Sequence, residues 1–161
     1  MFHAKSCGIE ETYPIIQGIL AASSHKLGYV TSIRLAVPED ARAIATIHVE
    51  ASQAAYRGII PDEFLNSFSI DRRESEWRQR LLRGNAGTWV AQEAGAIVGW
   101  ILAAASRDTD AGASTGEIWA VYVLPGYWGR RIGRLLCETA VRHLLTEGFT
   151  EVTLWVLTDN E

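Results

Sequence analysis

Eight residues hold the densest chemistry in this chain: Tyr127-Trp128-Gly129-Arg130-Arg131-Ile132-Gly133-Arg134, set between a strand-like run and a helix-like run. A helix start leaves backbone N–H groups without intrahelical partners and carries partial positive charge. Glycines let an anion approach that backbone, and three arginines add formal charge. Such a turn suits a phosphate or pyrophosphate, although it also reads as a glycine-punctuated connection with a basic rim. Upstream, Glu117 heads the strand-like run. By residue type alone it reads as an exposed strand-start carboxylate.

The elements that must position these residues follow from periodicity. Glu117 to Leu124 is rich in β-formers (Ile118, Trp119, Val121, Tyr122, Val123) and stops at Pro125-Gly126. From Ile132, the residues Ile132, Leu135, Leu136, Ala140 and Leu144 recur at helical spacing, and Gly148 is placed to end that helix. Thr150 to Leu157 alternates as a final strand. Before the turn, Ser32 to Val37 reads as a first strand stopped by Pro38. Asp40 is an N-cap candidate for a helix over 41–56, with His48 on its apolar face as an interior histidine. Asp62 opens a short segment over 63–68. Ser69 to Arg83 is a second helix whose Arg72, Arg73, Arg78 and Arg80 form a solvated face. Thr88 to Glu93 and Ala96 to Ala104 flank Ala94-Gly95 as a hairpin. Residues 107–116 form a polar loop.

The order β-α-α-β-β-β-α-β mixes hairpins with one crossover. It predicts an α+β fold with a mixed, largely antiparallel sheet flanked by helices. Residues 1–30 lack periodicity and read as an extension before a domain over 31–161.

At 161 residues, with 48% apolar and 21% charged residues, the chain is an ordinary globular mixture. The net charge of −4 gives no electrostatic case for nucleic acid. Of thirteen arginines, three crowd into residues 130–134, and the lysines are only Lys5 and Lys26. No run reaches the roughly 18 apolar residues of a membrane span. The 13–22 stretch is interrupted by Pro14 and Gln17 and is rejected as a signal peptide. Cys7 and Cys137 form no disulfide framework, and Cys137 reads as a semi-buried thiol. The histidines are scattered, so no metal site is expected. A cytoplasmic setting is the default.

With Ile33-Arg34-Leu35-Ala36 before Asp40-Ala41, Ala55-Tyr56-Arg57-Gly58-Ile59-Ile60-Pro61, and Tyr122-Val123-Leu124-Pro125 running into the turn, residues 32–161 resemble the GNAT superfamily of N-acetyltransferases. The family signature at this turn is Gln/Arg-x-x-Gly-x-Gly/Ala, whose amides hold the pyrophosphate of acetyl-CoA. Here Trp128 takes the Gln/Arg position, Arg131 the first glycine and Gly133 the second. If Arg131 lies within the first helical turn, its φ is negative and the lost glycine costs little. The resemblance implies cofactor contacts from Val121, Tyr122, Val123, Trp128, Gly129, Arg130, Arg131, Ile132, Gly133, Arg134 and Asn160. It implies pantetheine pairing along Val121 and Val123, with Glu117 as the base. Tyr122 lines the acceptor pocket or packs in the core, and Tyr56 and Trp119 are further acceptor-side candidates.

The implied activity is acetyl transfer from acetyl-CoA to a primary amine, small molecule or peptide, by direct attack and without metal. The alternative is a non-catalytic acyl-CoA-binding or oligomerising module. The family's helix after Asn160, with the tyrosine that protonates the leaving thiolate, falls beyond Glu161. The domain is therefore expected to be C-terminally incomplete, with an unpaired sheet edge available for a homodimer.

Overall fold

Apolar side chains on alternating faces of the strands must be covered on both sides, and helices supply the cover. A computed structural model describes residues 2–7, 30–84 and 87–157. Its strands are β1 (Phe2–Cys7), β2 (Ser32–Leu35), β3 (Thr88–Glu93), β4 (Ala96–Ala105), β5 (Thr115–Val123) and β6 (Glu151–Leu157). Its helices are α1 (Ala41–Ala55), α2 (Asp62–Asn66), α3 (Ile70–Leu82) and α4 (Ile132–Thr146). The sheet order is β1-β6-β5-β4-β3-β2, antiparallel from β2 to β5 and parallel where β6 meets β5 and β1. The fold is α+β with a mixed, mostly antiparallel sheet.

On one face, Ile44 and Ile47 of α1 and Trp77 and Leu81 of α3 pack on Val90, Trp100 and Leu102. On the other, Ile132, Leu136, Ala140 and Leu144 of α4 pack on Val98, Ile101, Ile118 and Val152. Gly116 is a close-approach position: a Cβ there would meet Leu144 at 3.0 Å, so α4 seats against bare backbone.

Local chemistry sets the ends. Ser69 caps α3 by accepting from the Arg72 amide at 3.3 Å. The α4 C-terminus closes with Gly148 at φ 91°, while Phe149 N–H donates to Leu144 and Gly148 N–H to Leu145. Ala94 and Gly95, at φ 49° and 84°, form a two-residue turn with both residues left-handed, matching the predicted hairpin. Asp40 precedes α1, but its side chain makes no capping hydrogen bond to that helix. Its carboxylate accepts from Arg34 at 2.6 and 2.8 Å and from the Val37 amide at 2.8 Å. Burial would raise the Asp40 pKa, yet these donors hold it below its ordinary value.

The outer edge of β6 is not unpaired, contrary to the sequence expectation. β1 runs along it in register from Phe2↔Val152 to Cys7↔Leu157. These six residues pair in parallel with β6, and so short a run offers periodicity little to reveal. The rejected signal segment at 13–22 and Asn160 lie outside the described residues.

Candidate functional site

The site begins where two parallel strands part. β5 and β6 pair from Thr115↔Glu151 to Ile118↔Leu154 and no further, although β5 continues to Val123 and β6 to Leu157. A bulge starts the divergence: Leu102 faces Ala120 while Ala103 faces Ile118, leaving Trp119 as the extra residue. The gap holds a cavity of about 230 Å³ with Trp119 to Tyr122 on one wall, Leu154 to Leu157 on the other, and Tyr56 from the end of α1.

Alternation decides which backbone groups face that gap. Leu124 N–H donates to Val98 on the β4 side at 2.9 Å, so the peptide groups of Val121 and Val123 point to the open side. The Val123 carbonyl accepts from Trp128 Nε1 at 2.7 Å. The open edge of β5 can therefore pair with an extended ligand as a strand would.

The edge runs into the glycine-containing turn. Gly129 has φ 75° and nothing within 4 Å of a Cβ built on it. No side chain caps α4, so the amides that open it, at Ile132 and Gly133, are left for an anion. The Arg130 guanidinium lies 3.5 Å from the buried Glu93 carboxylate and 4.8 Å from the Tyr127 ring. Arg134 pairs with Glu138 at 2.7 Å. Arg131, exposed at the N-cap, has no carboxylate partner among the described residues. Its φ of 65° corrects the expected helical value: the residue precedes the first helical turn and sits in the left-handed region that the family's glycine suits.

Glu117, read from sequence as a base, is elsewhere engaged. It is 1% exposed, and its oxygens accept from the Arg107 amide at 2.8 Å and from the Arg107 guanidinium at Nε and Nη2. It does not line the cavity. Two other expectations combine at Tyr122: it lines the cavity and also packs against Trp100 and His48, the latter stacked at 4.7 Å. His48 is an interior histidine whose pKa burial, aided by the Arg73 charge, pushes down to about 4. Burial, then the neighbouring Tyr122 and a hydrogen bond with it, pushes the Tyr56 hydroxyl up to about 12. The Cys137 thiol is raised to about 11 by burial and by Glu138, which suits a packed thiol rather than a nucleophile. Sequence reasoning missed Trp155 on the cavity wall, and Arg107 and Arg80 against the ring of cavity-lining Trp119. Their roles depend on contacts across the sheet that spacing does not encode.

The profile of the acetyltransferase (GNAT) family matches residues 49–161. The chain belongs to that family. As a GNAT acetyltransferase it is an acyltransferase enzyme. It is 33% identical over 132 residues to the uncharacterised N-acetyltransferase YuaI of Bacillus subtilis, covering 81% of this chain and 74% of that one. The fold of this GNAT acetyltransferase resembles the PaiA N-acetyltransferase of Thermoplasma acidophilum in complex with coenzyme A. That match has a TM-score of 0.70, 20% identity and 82% coverage of each chain. It also resembles a GNAT acetyltransferase of Brucella melitensis in complex with acetyl-CoA, with a TM-score of 0.56 and 24% identity, over 79% of this chain and 76% of that one. Among the described residues of the GNAT acetyltransferase, no helix is long and apolar enough to cross a membrane, and no group of three or more His, Cys, Asp or Glu could hold a metal.

Proposed function

We propose that this GNAT acetyltransferase moves the acetyl group of acetyl-CoA onto a primary amine of a small molecule or peptide by direct attack. One observation carries the reading: the free edge of β5 at Val121 and Val123 leads straight to an uncapped helix start beside the open Gly129. An extended amide-bearing arm fits the edge, and a pyrophosphate fits the amides of Gly129 to Gly133, with Trp128, Arg130, Arg131 and Arg134 around it.

In this reading the neutral amine attacks the thioester carbonyl. The C–N bond forms, the C–S bond breaks, the thiolate leaves, and the amine gives up one proton to solvent at the cleft mouth. A backbone N–H of Val121 or Val123 stabilises the oxyanion. Glu117 serves as a positioning residue, because its lone pairs are committed to Arg107; it holds the Arg107 turn against Trp119. The test is thiol release from acetyl-CoA with a panel of amines. Amine-dependent release is expected. Binding of acetyl-CoA without release for any amine would leave a binding module instead.

A further inference from the structure

Two arginines meet one tryptophan at the wall of the cleft. Trp119 lines the cavity and anchors its indole N–H on the Ala105 carbonyl at 3.1 Å. The guanidinium carbon of Arg107 lies 4.4 Å from the Trp119 ring centroid and that of Arg80 5.3 Å from it. Arg80 also lies 5.8 Å from the Trp77 ring. An aromatic face attracts a cation but does not neutralise it.

The two cations differ in their partners. Arg107 is paired with the buried carboxylate of Glu117. Arg80 has no carboxylate at ion-pair distance among the described residues, whereas its neighbours on α3, Arg72 and Arg78, pair with Glu76 and Glu74. Burial, then the charge of Arg107, pushes the Arg80 pKa below its ordinary value. A partly buried guanidinium facing a like charge is unfavourable until an anion joins it.

That anion is not a phosphate of the cofactor. The turn at Gly129 lies beyond the end of β5, roughly 15 Å along the strand from Trp119 at the usual rise per residue. Next to Arg107 in the chain, Asp108 Oδ1 accepts from Nε1 of Trp155, which lines the β6 wall. Two cations on the ring of a cavity-lining tryptophan match an acceptor that carries an anionic group besides its amine.

We propose that Arg80, with Arg107 beside it at Trp119, binds the anionic group of the acceptor, so that the substrate is a primary amine carrying a carboxylate or phosphate. The proposal rests on the acetyl-transfer reading above. Its test uses matched acceptors on the full chain: amino acids beside their amides, and O-phosphoethanolamine beside ethanolamine. At least one charged member is expected to exceed its neutral partner about tenfold or more in kcat/KM, mainly through KM, as a charge-assisted hydrogen bond implies. The two pairs separate carboxylate from phosphate. Arg80→Gln collapses that preference, and Arg80→Lys restores part of it. Equal rates within every pair for the unaltered protein overturn the proposal. So does an Arg80→Gln loss that is the same for both members, which would mark Arg80 as packing for Trp77. If no amine releases thiol, the acetyl-transfer reading is what fails. Arg80 is then judged by calorimetry with N-acetyl amino acids and their amides. Selective binding of the acids that is lost in Arg80→Gln supports it, and equal binding removes it.

Discussion

The indole N–H of Trp128 donates to the carbonyl of Val123 at 2.7 Å, tying the turn back onto the strand it leaves. Trp128 is 48% exposed, so the bond rather than burial explains the side chain's position. Trp128→Phe keeps the ring and removes the donor. Stability in urea should fall by about 1 kcal/mol, and the Kd for acetyl-CoA should rise several-fold as the turn loosens. Unchanged values for both would mean that the bond does not order the turn.

Arg131 occupies a backbone conformation that costs L-residues roughly 1–2 kcal/mol. Arg131→Gly should therefore stabilise the fold, by about 1 kcal/mol after allowing for the greater freedom of glycine in the unfolded chain. Arg131→Ala keeps the Cβ and should give no such gain. Denaturation midpoints of the two variants check this, and equal midpoints would place the effect in the guanidinium instead.

Glu117 and Arg107 should act as a unit. Glu117→Gln removes a charged partner from a buried site whose other half is solvent-exposed, so a loss of roughly 1.5–3 kcal/mol is expected. If Glu117 positions the turn, Glu117→Gln and Arg107→Gln should lower turnover to similar extents, and the pH–rate profile should keep its shape. A Glu117→Gln loss concentrated at low pH would restore Glu117 as the base, since that is where a missing base matters most.

His48 links stability to pH. Its folded pKa of about 4 lies below the ordinary 6.5, so between these values the unfolded chain binds the extra proton. Stability should be highest above pH 6.5 and fall as pH drops towards 4. The histidine's share is on the order of 3 kcal/mol, from 1.36 kcal/mol per unit. Denaturation at pH 7 and pH 4.5 should show the drop, and His48→Leu should flatten it. An equal drop in His48→Leu would assign the slope to other groups.

Periodicity exposed what packs by periodicity. Ile132, Leu136, Ala140 and Leu144 were legible as the buried stripe of α4, and Ala94-Gly95 as a hairpin turn. Thr115-Gly116 was missed as strand because Gly116 has no side chain to reveal a face, Leu144 filling the space instead. β1 was missed because so short a run carries little periodicity of its own. At the site, the turn was legible from glycines and arginines next to a helix start. The positive φ of Arg131 was not, since nothing in an arginine announces it; only the family's glycine at that position hints at it. Arg80 read as part of a solvated face because helical spacing reports which side of α3 it occupies, not that Trp119 of β5 lies within its reach.

The central claim is that the turn after β5 holds the pyrophosphate of acetyl-CoA, and Gly129 tests it directly. Its surroundings are open, and aspartate tolerates positive φ better than most residues, so Gly129→Asp should fold and act through its charge. In calorimetric titration with acetyl-CoA, the unaltered chain should bind and Gly129→Asp should lose at least about 100-fold in affinity, the equivalent of one unfavourable charge contact of roughly 2.7 kcal/mol. Retained affinity in a folded Gly129→Asp protein, or no binding by the unaltered chain at millimolar ligand, would contradict the account.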